Sequence, residues 1–179
     1  MENKNLPANQ NPANVPAPVP MNLPKLPQLI EEFDDLELAY KNDQLQVLLN
    51  QPPPAKWVKT HPFINGYKYL PIDKVEYLLK RLFGKYRIEV TGQGTAFNGV
   101  WVTVRVHYFH PVFNEWMYHD GIGAAQLQTQ KGMSPADLAN INNGAISMAF
   151  PIAKTVAIKD ACDHFGDFFG ANLNRKDVQ

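Results

Sequence analysis

The chain has 179 residues, of which 45% are hydrophobic and 11% aromatic, enough for one domain with a buried core. Its 17 basic and 17 acidic side chains cancel, so the overall charge indicates neither a nucleic acid nor a membrane as partner. No run of about 18 uncharged apolar residues occurs, so we expect no membrane-spanning helix. The N-terminus also lacks the apolar core of a secretion signal. A single cysteine, Cys162, excludes an internal disulfide and a thiolate metal cage. We therefore expect a cytoplasmic protein with no membrane partner.

The N-terminal segment differs in composition from the rest of the chain. Residues 1–28 contain seven of the 15 prolines, mixed with Asn and Ala. Such a segment buries too little apolar surface to offset its chain entropy, so we expect residues 1–28 to be a disordered leader. One domain is expected over residues 29–175, followed by a tail, residues 176–179.

Charge is unevenly distributed along the chain. Residues 1–50 carry a net charge of −4, residues 51–90 one of +5, and residues 91–179 one of −1. The neutral total therefore conceals a basic middle segment.

Two helices are predicted in the first half of the domain. Residues 29–50 carry apolar side chains at helical positions, and the prolines at 52–54 end this helix. Residues 72–83 repeat apolar side chains at i, i+3, i+4 and i+7, and Gly84 is a typical C-terminal stop.

Three strands of one antiparallel sheet are predicted next. The first covers residues 86–91, and Gly92 and Gly94 indicate the hairpin turn that follows it. The second, residues 99–109, alternates valines with larger or polar side chains, and the third covers residues 116–124. The sheet is small and only one helix follows it, so this helix cannot cover all of its large side chains. We therefore expect Trp101, Phe109 and Trp116 to be buried between subunits.

A long loop over residues 126–144 leads to the last helix. One helical turn is expected in the loop at residues 135–139. The helix itself is predicted over residues 151–169, with Pro151 as its first residue and Gly170 as its stop. The order of the elements predicts an α+β fold: a short three-stranded antiparallel sheet packed with helices, and a long C-terminal helix.

Residues suited to catalysis or metal binding form no recognisable pattern. No Gly-Lys-Ser/Thr follows Gly92-Gln-Gly94, which excludes a P-loop and gives no indication of ATP use. No serine lies in a nucleophile elbow, and Cys162 is expected to be a core thiol. The candidate metal ligands lack the usual pairwise spacing; they are His107, His110, His119, His164 and Asp120. We expect no enzyme activity, no cofactor and no metal.

Aromatic and basic side chains alternate in the basic middle segment. The examples are Lys56-Trp57-Val58-Lys59 and Lys68-Tyr69. This mixture suits single-stranded nucleic acid, because cations follow the phosphates while aromatic rings stack on unpaired bases. On composition alone, a solvated surface over core aromatics is the favoured interpretation, so a more specific signal is needed for nucleic-acid binding.

A motif in the last helix favours the first interpretation. Ala153-x-x-x-Ala157-Ile-Lys159-x-Ala161-x-x-x-Phe165-Gly166-x-x-x-Gly170 resembles the signature helix of the single-strand annealing proteins of the Rad-fifty-two type, a superfamily that includes phage recombination proteins. Further motifs match that family in the same order along the chain: Leu48-x-x-Gln51 to Trp57-Val58, Tyr69, Phe83-Gly84, Val104-Arg105-Val106 and Tyr118-His-Asp-Gly-Ile-Gly123. The resemblance covers about residues 40–175.

The resemblance implies a function in homologous recombination and DNA repair. Members of this family form rings or helical filaments, bind single-stranded DNA in a basic groove with the bases outward, and anneal it to a complementary strand without ATP. Single-stranded DNA and further copies of the chain are therefore the expected partners, with a single-strand-binding protein or an exonuclease as a further candidate. A phage or another mobile element acting in a bacterial host cell is the expected source.

The resemblance also assigns individual residues. The family's groove arginine falls on Lys59, its groove tyrosine on Tyr69 and its helix lysine on Lys159. Two other family cations fall on Asp160 and Asp163, which inverts their charge, and Lys159 could pair with Asp163 at i,i+4. The expected DNA-binding residues are Lys56, Lys59, Lys68, Tyr69, Arg105, Lys154 and Lys159.

Two other functions fit parts of the sequence. An oligomeric scaffold would bind another protein through the acidic stripe of the last helix, Asp160, Asp163 and Asp167, and would bind no DNA. A metal-dependent nuclease would use the histidines and aspartates named above.

Overall fold

A computed structural model describes residues 36–62, 64–134 and 136–175, which belong to one compact unit of the chain. The expected leader, residues 1–28, lies outside the described residues. The same holds for residues 29–35 of the first predicted helix and for the tail, residues 176–179.

The described residues form three α-helices and five strands. In chain order they are α1 (Leu36–Leu49), β1 (Lys59–Thr60), β2 (Lys68–Tyr69), α2 (Ile72–Phe83), β3 (Tyr86–Ala96), β4 (Gly99–Phe109), β5 (Trp116–Gln126) and α3 (Ala145–Asp163). The α+β class, the three-stranded antiparallel sheet and the C-terminal helix are as predicted. The bounds of α2 and β4 also match the prediction. The β1–β2 hairpin is not anticipated by the sequence patterns.

Strand β4 is the centre of the sheet, with β3 and β5 as antiparallel neighbours. Because side chains alternate along a strand, its four valines at 100, 102, 104 and 106 face the core and are buried. The opposite face carries Trp101, Thr103, Arg105 and His107. Helix α3 lies across β4 and β5 on the valine side, so the other face of the sheet stays open.

Close packing between α3 and β5 depends on two glycines. A Cβ at Gly121 would overlap the carbonyl oxygen of Ala157, and a Cβ at Gly123 would overlap that of Ala153. The alanines of α3 that face the sheet recur every fourth residue, at 145, 149, 153, 157 and 161, and all are buried. Small side chains on both elements therefore bring the helix backbone against the strand backbone.

The predicted hairpin turn at Gly92-Gln-Gly94 is wrong, because β3 continues through both glycines to Ala96. Gly94 pairs with Trp101. The Trp101 ring occupies the space above it: a Cβ on Gly94 would lie 2.8 Å from the ring. The glycines thus make room for an indole on the neighbouring strand, and the turn consists of Phe97 and Asn98, with Phe97 at φ +52°.

The predicted bounds of the last helix are also wrong. Helix α3 begins at Ala145, six residues before Pro151, and Pro151 lies inside it on an exposed side. The helix ends at Asp163, and Gly166 follows at φ +112° with its backbone against Leu49, in a conformation that only glycine adopts readily. A 3₁₀ turn, Asp167–Phe169, then closes the segment.

A cluster of aromatic rings joins the end of this segment to the core. The ring centres of Phe83, Tyr108 and Phe165 lie 4.6–4.7 Å apart, and Phe169 is 4.8 Å from Phe165.

Cys162 is fully buried beside α3's alanines, as predicted, and this burial raises the pKa of its thiol.

No helix in the described segments is both long and apolar enough to cross a bilayer.

In the loop before α3, a 3₁₀ turn at Leu138–Asn140 is close to the predicted helical turn at residues 135–139, of which Pro135 is not described.

Candidate nucleic-acid interface

The β1–β2 hairpin is a short structure with two residue pairs, Lys59–Tyr69 and Thr60–Lys68. Directly opposed residues of an antiparallel pair point to the same side, so the side chain of Lys59 lies beside Tyr69. A backbone hydrogen bond of 2.7 Å from the His61 amide to the Tyr67 carbonyl extends the hairpin towards its loop. The hairpin therefore presents a lysine and a tyrosine together.

A side chain from beyond α3 fixes β2 in place. The Lys68 amide donates to the Asn174 side-chain oxygen at 2.8 Å, and the Asn174 amide group donates to the Lys68 carbonyl at 2.7 Å. Asn174 thus bonds to Lys68 as a neighbouring strand residue would. This pair of bonds connects the hairpin to the segment that follows α3.

A groove of about 670 Å³ runs between the hairpin and α3. Its apolar walls are formed mainly by Ile64, Tyr67 and Tyr69 on the hairpin side, and by Ile152 and Val156 on the helix side. Ile64 is 52% exposed and Ile152 48% exposed, so the walls of the groove present apolar surface to solvent. We call this groove the apolar compartment.

A second cavity of about 310 Å³ continues the groove past Tyr69 towards the C-terminus. Lys68, Asn174 and Arg175 line it, together with backbone of residues 169–171. Four residues line both cavities and so form the boundary between them: Tyr67, Tyr69, Lys159 and Asp163. We call this cavity the polar compartment.

The charge of Lys159 is directed at an aromatic ring. Its Nζ lies 4.8 Å from the centre of the Tyr69 ring, within cation–π distance. Burial lowers the pKa of Lys159, against the opposing influence of the Asp163 and Asp73 carboxylates. Lys159 and Asp163 are both described, and they form no ion pair with each other.

Asp160 and Asp163, the two positions at which the family's cation is replaced by a carboxylate, have different environments. An oxygen of Asp160 accepts a hydrogen bond of 2.9 Å from the Ile122 amide, on the edge strand β5, where outward amides have no strand partner. Asp163 lines both compartments. Partial burial, and next the Asp160 carboxylate, raise the pKa of Asp163 to about 6.

Three of the seven expected DNA-binding residues line the groove: Lys68, Tyr69 and Lys159. Lys59 pairs with Tyr69 in the hairpin but lines neither compartment. Lys56 is exposed in the 3₁₀ turn just before β1. Lys154 is exposed on α3 but lines neither compartment; five residues from Lys159, it projects about 140° away around the helix.

Arg105 lies elsewhere, on the open face of the sheet. Its guanidinium donates two hydrogen bonds to Asp120, of 2.7 and 2.8 Å, and lies 4.0 Å from the centre of the Tyr118 ring. Because its charge is paired with that of Asp120, Arg105 adds little free positive charge to this face. The structure does not bring it together with the groove residues.

The open face of the sheet is rich in exposed aromatic and aliphatic side chains. The most exposed are Trp116 at 56%, Tyr118 at 53% and Ile122 at 60%. Trp101 lies on the same face, stacked over the glycines of β3, and Phe109 packs against Trp116 with ring centres 5.8 Å apart. We call this surface the open sheet face.

Three of the candidate metal ligands, His107, His110 and Asp120, are engaged in other polar contacts. His107 lies 3.0 Å from Glu89, and Nδ1 of His110 accepts hydrogen bonds from the amides of Val112 and Phe113. The rings of His119 and His164 are neighbours, with centres 5.3 Å apart. In the described part of the chain, no three His, Cys, Asp or Glu side chains group so as to hold a metal ion.

Several groove residues are missed by the sequence patterns. Asn174 and Arg175 carry no recognisable motif, because their role depends on the path of the chain after α3. Ile152 and Val156 do leave a signal: they are apolar, four residues apart, and out of phase with the buried alanines.

No known protein-family model matches the chain, and no curated protein matches its sequence.

Proposed function

We propose that the protein binds single-stranded DNA and anneals complementary strands without ATP, in homologous recombination and DNA repair. The observation that carries this proposal is the contact between Tyr69 and Lys159, with Lys59 opposite Tyr69 in the hairpin. Lys159 is distant in the sequence from Lys59 and Tyr69, and the resemblance assigns a DNA contact to each of the three. The meeting of the helix lysine with the hairpin tyrosine is what a shared binding site requires.

The chemistry of the groove suits an unpaired strand. Lys68 and Arg175 supply cations that neutralise phosphates, and Tyr67 and Tyr69 supply rings for stacking on bases. Lys59 adds a further exposed cation in the same hairpin. Binding the backbone and screening its charge reduces the repulsion between two strands, so that complementary bases can pair. No bond of the DNA is broken, so the proposed activity needs no catalytic residue.

Self-assembly into a ring or filament is the second part of the proposal. The open sheet face supports it, because Trp116, Tyr118 and Ile122 expose apolar surface that a neighbouring copy would cover. Repeating the groove around an assembly would hold a strand at many points at once, which strengthens binding without new kinds of contact.

Oligonucleotide binding at a series of salt concentrations tests DNA binding. We expect the logarithm of the affinity for an unstructured single strand to fall linearly with the logarithm of salt concentration, because phosphate contacts release counterions. No binding at low salt would contradict the proposal.

Native mass spectrometry tests the assembly. We expect species larger than a monomer, and a shift towards the monomer in Trp116→Ser. Val47→Ser is the control, since Val47 on α1 is also 56% exposed but lies away from the sheet. A stable monomer at micromolar concentration, with and without DNA, would contradict the ring or filament.

An oligomeric protein-binding scaffold is the second candidate, and the open sheet face favours it as well. A scaffold would assemble without binding oligonucleotides. The salt series and the mass measurement together distinguish the two functions.

A further inference from the structure

The groove has two chemically distinct parts, which suggests how a nucleotide is oriented in it. Ile64, Ile152 and Val156 line only the apolar compartment, whereas Lys68 and Arg175 line only the polar compartment. A nucleotide has a flat apolar base and an anionic phosphate, which match these two parts in turn. Resting on the proposed DNA binding, we infer that unpaired nucleobases enter the apolar compartment while phosphates lie at the polar compartment.

One carboxylate of the groove supports this orientation. Asp160 lines the apolar compartment and not the polar one, so it repels phosphates there but can accept hydrogen bonds from the N–H groups of bases. The charge inversion at Asp160 therefore disfavours a phosphate track along this part of α3. It is compatible with a base in the same place.

Size and exposure agree with a base as occupant. A volume of about 670 Å³ lies within the range of roughly 300–1,000 Å³ typical of small-molecule sites. Its apolar side chains remain exposed in the isolated chain: Val156 is 42% exposed and Tyr67 44%. Covering them with a base face removes apolar surface from water, which a phosphate cannot do.

The inferred orientation differs from the one implied by the resemblance, in which bases point outward. A base held in the groove is unavailable for pairing, so annealing would begin at the nucleotides between the grooves of adjacent copies. Paired bases cannot enter, so the groove would also select single strands over duplexes.

Abasic oligonucleotides test the inference directly. A strand of tetrahydrofuran abasic sites has the same phosphates as a normal strand but no bases. We expect the normal strand to bind at least about tenfold more tightly, since stacking contributes roughly 1–3 kcal/mol per base, with equal salt slopes for the two strands. Equal affinity for the two strands would overturn the inference, whereas no binding of either strand would contradict the proposed function itself.

A variant in the apolar compartment tests whether this compartment causes the preference for the normal strand. Val156→Thr replaces a methyl group by a hydroxyl of similar shape on an exposed side chain, so we expect folding to be kept and the preference for the normal over the abasic strand to fall severalfold. Val47→Thr makes the same change on α1, away from the groove, and is expected to keep the full preference. An unchanged preference in Val156→Thr would overturn the inference, and a changed assembly mass in that variant would assign the groove to a second copy instead.

Discussion

Lys159 places its ammonium group 4.8 Å from the centre of the Tyr69 ring. The contact joins the middle of α3 to β2 at the boundary between the apolar and polar compartments. One side chain offers a charge for a phosphate and the other a ring for a base, so the pair combines both kinds of contact with a single strand.

Replacing either partner should give a distinct signature. Lys159→Gln removes one cation, so we expect weaker binding of every sequence and a salt slope reduced by about 0.7. Tyr69→Ala should weaken binding with little change in slope, because stacking releases no counterions. Fluorescence anisotropy at several salt concentrations measures both quantities.

The control for these variants is Lys131→Gln, which removes a charge from an exposed loop residue that lines neither compartment. We expect its affinity and slope to match the parent. If all three variants fold normally and bind like the parent, the groove is not the DNA site.

The packing of α3 on β5 should be highly sensitive to one added methyl group. Gly121→Ala places a Cβ against the Ala157 backbone, so we expect a loss of about 1–3 kcal/mol or more in the free energy of unfolding. Val47→Ala, on α1 and outside the open sheet face, truncates a side chain that is 56% exposed and should change it by less than about 0.5 kcal/mol. Urea unfolding measures both, and similar values for the two variants would contradict the close packing.

The alternation of side chains along a strand and the spacing of apolar residues along a helix predicted much of the fold. The valines of β4 and the apolar spacing of α2 give their bounds, because each pattern is decided by burial on one face. Gly92 and Gly94 predicted a hairpin turn, but they lie within β3 and leave space for the Trp101 ring of the next strand. Pro151 was misleading as well, although the alanines spaced by four from Ala145 indicate the true start of α3.

The candidate site was less predictable than the fold. The resemblance names Tyr69 and Lys159, which do meet, but it also names Arg105, whose charge Asp120 neutralises across the strands. Asn174 has no sequence signal, because its bonds to Lys68 depend on how the last segment returns to the hairpin. Contacts between distant segments are not encoded in local spacing.

Asp163 should make the protein's properties pH-dependent. Its pKa in the folded chain is about 6, against an ordinary value of 3.8. Because the folded value is higher, the stabilising contribution of this group is complete below about pH 4 and is lost as the pH rises to about 6. Over the same range the groove gains a negative charge, so we expect DNA binding to weaken.

The Asp163→Asn variant isolates this effect from the histidines His61 and His164 nearby. It should bind DNA more tightly than the parent at about pH 7.5, and approach the parent's affinity at about pH 5. Its melting temperature should also fall less than the parent's between about pH 4 and pH 6. An affinity difference that is constant across this range would contradict a titrating Asp163.

Asn174 is expected to be a positioning residue for the hairpin. Asn174→Leu removes both bonds to Lys68, so we expect faster hydrogen exchange at the Lys68 amide and weaker DNA binding, with a salt slope like that of the parent because no cation is lost. Asn172→Leu is the comparison, since its side chain bonds to Asp167 and not to the hairpin. Unchanged exchange at Lys68 in Asn174→Leu would exclude this role.

Annealing itself is the most direct test of the central claim. Two complementary oligonucleotides, one with a fluorophore and one with a quencher, are mixed with the protein in the absence of ATP. We expect pairing to be much faster than the spontaneous reaction, to slow towards the spontaneous rate in Lys159→Gln and Tyr69→Ala, and to remain fast in Lys131→Gln. A parent protein that leaves the spontaneous rate unchanged would contradict the account.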